Sequence, residues 1–245
     1  FTNVTLFLLA SDQKPNVVIT SSKEGAELNV FGNGLVLNYG SLEFSNVEIN
    51  VTDIRSSSYQ TFKTYGDIKL GKDVVVNVEF LGTSLISANG ACEVVIDGAT
   101  INVGNFVVNW SPFISKANAT VLNINKADIN ISSLGNASYP VYSYFTSDNL
   151  LVTINECNFD AKYNDTKYVA VNKDGKYRWA KTVSTGEELQ AAIKAGEDII
   201  FANDIKVEAT KGGYNLAGLV QSGGVIDGNG NTITATGANT TWDCV

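Results

Sequence analysis

Few side chains in this sequence are suited to catalysis. Its guanidinium groups are Arg55 and Arg178, it has no histidine, and Lys69, Lys72, Lys116 and Lys126 are the lysines left as candidate bases. Hydrolysis of a glycosidic bond needs two carboxyl groups about 5–10 Å apart. Asp67, Asp73, Asp97, Asp128 and Asp148 fall at different places in the local pattern and form no evident cluster. There is no Ser/His/Asp set, no histidine for a transition metal and no phosphate loop, and GNGNT at 228–232 reads as a turn. No catalytic or metal-binding residue is assigned. The remaining chemistry is that of aromatic rings. Trp110, Tyr139, Tyr142 and Tyr144 gather in NWSPF and SYPVYSYF. Rings with an apolar body and a polar edge can receive sugar faces, so these four are the candidate ligand-binding residues. The competing role, core or loop packing, applies to Phe113, Tyr144 and Phe145.

The bulk composition narrows the partners. A formal charge of -8 argues against nucleic acid, whose recognition needs a basic footprint. Hydrophobic content of 44 % excludes intrinsic disorder, and no apolar run approaches the roughly 18 residues of a membrane helix. Asn, Ser and Thr are abundant, and N-x-S/T triplets begin at Asn3, Asn50, Asn109, Asn118, Asn130, Asn136, Asn164 and Asn239. These are indirect signs of an extracellular or cell-surface location. Cys92, Cys157 and Cys244 show no CxxC spacing and read as small, buried apolar residues.

The elements that would position these groups repeat. FSNVEINV at 44–51, IDGATINV at 96–103, INKADINI at 124–131 and INECNFDA at 154–161 share one pattern. Their anchors are Phe44, Ile96, Ile124 and Ile154, and Leu70 falls midway between the first two, so the steps are 26, 26, 28 and 30 residues. A second phrase (TFKTYGDIKL, SLISANGACEVVI, PFISKANATVLNI, SYFTSDNLLVTI) precedes the anchor each time. Apolar positions alternate, which excludes a helical repeat and predicts short strands. Short strands and turns at a locked period wind into coils stacked at about 4.8 Å. The predicted inward columns are Phe44, Leu70, Ile96, Ile124, Ile154 and Ile49, Val75, Ile101, Ile129, Phe159. Ser45, Gly71, Asp97, Asn125, Asn155 and Asp227 follow the anchors as corner residues suited to left-handed backbone. Asn50, Asn102, Asn130 and Asp160 form an outward polar column, read as a solvated face or a strip that touches a sugar.

The pattern resembles the right-handed parallel β-helix of pectin-lyase-like proteins, especially the adhesin-like surface proteins of Bacteroidetes-type bacteria, over about 17–165 and again 180–235. The fold class implied is all-β, a solenoid with rungs of about 25–30 residues. Asparagine ladders at the corners are a further implication. A lyase of that fold would use calcium-binding carboxylates and an Arg or Lys base. Arg55 and Arg178 lie outside the repeat strands, and lysines on a solenoid wall are ordinarily solvated. No cofactor is assigned, with Ca2+ the one that the resemblance would admit. The expected role is a non-catalytic cell-surface module, adhesin-like or carbohydrate-binding, with a polysaccharide or host glycan as partner. A polysaccharide lyase or glycoside hydrolase is the alternative, and a structural spacer is the second.

One segment breaks the rhythm. In TVSTGEELQAAIKAGEDIIFANDIKV at 182–207, Ser184 or Thr185 caps a helix, and Glu187 or Glu188 completes a capping box. Leu189, Ala192 and Ile193 form its apolar stripe and Gly196 its stop. This predicts a capping helix near 185–195 and two rungs anchored at Phe201 and Ile226. The expected domains are 1–175, β-helix rungs plus an irregular junction with a hairpin turn at NKDGK, and 176–245, the start of a second β-helix unit. The chain reads as part of a longer array, with further rungs as its neighbours.

Overall fold

The computed structural model describes residues 6–8, 14–31, 36–52, 60–106, 112–134, 139–143, 151–208 and 216–236. The chain is a parallel β-solenoid with three walls. Wall one stacks Leu6–Leu8, Val36–Asn38, Phe62–Thr64, Ile86–Ala88, Ile114–Lys116 and Val141–Ser143. Wall two stacks Asn16–Thr20, Ser41–Ser45, Asp67–Leu70, Glu93–Asp97, Val121–Asn125 and Val152–Asn155. Wall three begins with Glu27–Phe31, Val47–Thr52, Val74–Leu81, Thr100–Phe106, Asp128–Ser133 and Asn158–Tyr163.

The first inward column pairs as expected, Phe44 on Leu70, Leu70 on Ile96, Ile96 on Ile124 and Ile124 on Ile154. Ile19 extends it by one rung below Phe44. Phe44, Leu70, Ile96 and Ile124 are fully buried, each stabilising the coil by about 1.5–3 kcal/mol through lost water contact. The second column differs at one place. Ile49 and Ile101 both pair with Val76 rather than Val75. The corner Gly71-Lys72-Asp73 carries one extra residue, with Asp73 at φ 62, and a one-residue shift exchanges inward and outward positions.

The corners also differ from expectation. Positive φ falls two residues after the anchor, at Asn46, Gly98, Lys126 and Glu156. Ser45, Asp97 and Asn125 are still the last residues of wall-two strands, so the bend comes one residue later. At the corner between walls one and two, Gly40, Gly66 and Gly90 lie one above another. A Cβ on Gly66 would stand 2.0 Å from the Gly40 carbonyl oxygen, and one on Gly90 2.9 Å from that of Tyr65. The phrases NYG, TYG and ANG at 38–40, 64–66 and 88–90 carry this column.

The segment expected as an irregular junction is regular. Thr166–Lys173 pairs antiparallel with Asn158–Tyr163 and with Lys176–Val183, continuing wall three. Asn164-Asp165 and Asp174-Gly175 make the two tight turns with positive φ at both central residues, the geometry that suits two-residue hairpins. This ribbon closes the first core. Trp179 meets Phe159 edge-on at 5.3 Å, and Phe159 meets Phe113 at 5.2 Å. Tyr168 and Ala170 also pack on that core.

Beyond the ribbon, helix α1 (Gly186–Ala195) has Thr185 as its N-cap, whose Oγ1 accepts from the Glu188 N–H. The Glu188 carboxylate accepts from Ser184 N–H at 2.7 Å, and Gly196 ends the helix at φ 70. Leu189 and Ala192 enter a second core with Val183, Ile199, Phe201 and Ile205. Ile226 pairs with Ile199, not Phe201, making the rung 27 residues long, and Ile205 pairs with Ile233. A second helix, α2 (Leu216–Gln221), was not anticipated; six residues are too few for a readable helical period. Glu197 fastens the junction, accepting from Tyr168 Oη at 3.1 Å and Lys181 Nζ at 3.0 Å. Burial, then the Glu197 charge, pushes the Tyr168 hydroxyl up to about 12.

Candidate functional site

The residues that could act on a substrate are dispersed over the solenoid. Arg178 donates to the Gly223 carbonyl at 3.0 Å and pairs with Asp198 at 3.6 Å, so it holds the connection after α2. Lys69 bonds Glu43 at 2.8 Å, which raises its pKa. Lys126 sits 3.9 Å from Glu156 on an exposed corner. Asp67, Asp97 and Asp128 accept from Glu93 N–H, Asn125 Nδ2 and Asn158 Nδ2 respectively, at 2.7–2.8 Å. Each of these acids links one rung to the next. Among the described residues, no three His, Cys, Asp or Glu side chains are grouped to hold a metal, so these residues offer Ca2+ no carboxylate cage. Arg55 and Asp148 lie outside the described residues.

Lys116 departs from the expected solvated lysine. It is fully buried, standing between Ala88 and Ser143 in the inward wall-one column formed by Asn38, Thr64, Ala88, Lys116 and Ser143. Its ammonium donates to the Ala117 carbonyl at 3.0 Å. Desolvation lowers its pKa, and nearby Cys92 acts in the opposite direction. Cys92 is itself buried, with its thiol pushed up by desolvation. Cys157 is half-buried, and Cys244 lies outside the described residues. Asn38 shows how the column accommodates polarity: Nδ2 donates to Asp67 O at 2.7 Å, while Oδ1 accepts from Gly40 N–H at 3.0 Å. Buried polar groups persist where such partners exist.

Two of the four candidate aromatic residues are described, and the structure brings them together. Tyr139 and Tyr142 have ring centroids 5.6 Å apart at 31°, and Tyr142 projects outward between buried Val141 and Ser143. Trp110 and Tyr144 lie outside the described residues. A second pair was missed. Tyr39 and Tyr65 stack at 4.7 Å with planes 3° apart, and Lys63 Nζ is 5.9 Å from the Tyr65 ring centre. NYG and TYG, 26 residues apart, were the sequence signal for this pair. Tyr65 and Tyr142 are separated by three rungs, about 14 Å at ordinary strand spacing.

Wall three carries the most regular polar surface. Asn29, Asn50, Asn77, Asn102 and Asn130 stand in register. Their side chains form a hydrogen-bonded ladder, with distances of 3.0, 2.7, 2.8 and 3.2 Å from first to last. The ladder expected at the corner appears there only as Asn125 to Asp97; its longer counterpart occupies the outward column. Asn77 also donates to Glu48 at 2.8 Å. Asn77→Ala should therefore lower stability by about 1 kcal/mol, because water can solvate the exposed neighbours left behind. A denaturation midpoint unchanged from the parent protein would show that the ladder adds no stability. Compared with protein-family models, curated proteins and solved structures, the chain matches none.

Proposed function

We propose that this chain is a non-catalytic β-helix module of a cell-surface, adhesin-like protein, and that it binds polysaccharide. The observation that carries the reading is the presence of two outward tyrosine pairs on or beside wall one, Tyr39–Tyr65 and Tyr139–Tyr142. Their ring faces and edges suit the alternating apolar and hydroxyl surfaces of a sugar chain. The rigid rungs fix the spacing before ligand arrives, which lowers the ordering cost of binding. The acidic net charge of -8 favours a neutral glycan over an anionic one. The pectin-lyase-like resemblance is consistent with carbohydrate as the ligand class, and the engagement of Arg178 with Gly223 and Asp198 speaks against its use as a lyase base.

Tyr65→Ala and Tyr142→Ala should each weaken retention of the full chain on its polysaccharide roughly three- to ten-fold, as expected for losing one aromatic contact. Affinity electrophoresis through gels containing plant and microbial polysaccharides measures this. Absence of retention on every polymer, or retention indifferent to both substitutions, would remove the reading. Release of unsaturated or reducing sugars would replace it with an enzymatic one.

A further inference from the structure

The asparagine ladder runs in one direction and stops at a groove. Asn50, Asn77, Asn102 and Asn130 each donate through Nδ2 to the Oδ1 of the rung before. At the other end, Asn29 donates to the Glu27 carboxylate. Every Oδ1 from Asn29 to Asn102 is thereby occupied, and the series ends on Asn130 Oδ1. The register partner of Asn130 on the next rung is Asp160, which as a carboxylate can only accept. An asparagine at this position would continue the ladder. Instead, two hydrogen-bond acceptors follow one another along the strip with no N–H between them.

These acceptors line a half-open groove of about 300 Å³ together with Ser132, Lys162 and Lys167. Lys167 Nζ is 2.7 Å from Asp160 Oδ2 and holds the carboxylate in place. We propose that this groove is a sugar subsite, taking one neutral pyranose ring through a pair of adjacent hydroxyls. The proposal rests on the polysaccharide-binding reading and adds a second contact region, on wall three rather than wall one. One hydroxyl donates to Asn130 Oδ1 and its neighbour donates to Asp160. The Lys162 ammonium donates back to hydroxyl oxygen. Only a group that both donates and accepts satisfies this set. Among the described residues Asp160 is the one carboxylate lining the groove, and its Lys167 partner opposes a metal cation. A uronate carboxylate could take the Lys162 ammonium but would leave Asn130 Oδ1 and Asp160 each facing an acceptor. With no aromatic ring among the described lining residues, the sugar is gripped by its edges, so affinity for a single sugar is in the millimolar range.

The test uses the full chain, labelled with 15N, and the methyl glycosides of mannose, galactose and glucose. The side-chain amide resonance of Asn130 should move saturably with at least one of them. Asp160→Asn supplies the missing N–H, so it should weaken that response at least ten-fold while raising the thermal midpoint. No saturable movement with any of the three sugars, an unchanged response in Asp160→Asn, or movement only with calcium or galacturonate would overturn the subsite. Polymer retention separates the two claims. If retention depends on Tyr65 and Tyr142 while Asn130 stays silent, the subsite falls and the polysaccharide reading stands. If Asn130 responds while no polymer is retained, the reverse holds.

Discussion

Gly66→Ala should destabilise the solenoid by about 4 kcal/mol or more, a penalty outside the ordinary range for adding one methyl group. The new Cβ would stand 2.0 Å from Gly40 O and 2.6 Å from Tyr39 O. Both obstacles are backbone atoms, so no side chain can rotate away. Moving them requires opening the rung, because Tyr65 N–H is bonded to Asn38 O at 2.7 Å at the same corner. Gly25→Ala is the matching control. Its φ is +68 and its Cβ would meet nothing within 4 Å, so it carries only the left-handed strain, about 1–2 kcal/mol. Stacked repeats need not unfold as one unit, so the thermal midpoint should be paired with amide exchange resolved by rung. Loss of protection should centre on 36–46, 60–71 and 86–97. Equal effects of the two substitutions would show that the corner has room.

Lys116→Met should act in the other direction, stabilising the protein by about 2 kcal/mol, as replacement of buried charged groups by apolar ones of similar volume can do. The amine's partner is not stranded, since Ala117 O also accepts from Thr120 N–H at 3.1 Å. The pH dependence identifies the cause. The folded-state pKa of Lys116 lies below its ordinary 10.5, so between those two values the unfolded chain binds more protons than the folded one. Stability of the parent protein therefore rises with pH in that window, and the penalty is full below the folded value. The advantage of Lys116→Met should shrink as pH climbs towards 10.5 and be constant below the window. Cys92 faces the same interior and titrates upward-shifted, so the comparison is best repeated in a Cys92→Ala background. A pH-independent difference between parent and variant would sink the desolvation account.

The anchors were legible because burial leaves few residue types for an inward position. Phe44, Leu70, Ile96, Ile124 and Ile154 stack as the period required. Position within a corner was less legible, since one added residue at Gly71–Asp73 is invisible among three consecutive valines at 74–76. Lys116 was misread because a lysine ordinarily solvates its charge, and only the assembled coil shows that its column points inward. The glycine corner was overlooked because each phrase has only three residues, and Ala88-Asn89 replaces the Asn-Tyr or Thr-Tyr of its neighbours. For the candidate site, aromatic type was readable but partnership was not. Tyr139 and Tyr142 are close in sequence, whereas Tyr39 and Tyr65 meet only because one coil lies on the next. The outward asparagines were noticed as a column, yet their shared direction is a property of side-chain torsions.

That shared direction has an electrical consequence. Backbone hydrogen bonds between neighbouring strands alternate in sense, so a sheet carries little net dipole. The five side-chain amides of wall three do not alternate. If each contributes about 3.5 D, like a peptide unit, they add to roughly 17 D along the solenoid axis. The wall thus behaves like a helix macrodipole laid on the outside of a β protein. Its positive pole at Asn29 meets the Glu27 carboxylate, and Lys162 and Lys167 gather at the negative pole beside Asn130. Fixed charges already complement both poles, which gives the solenoid an electrostatic front and back.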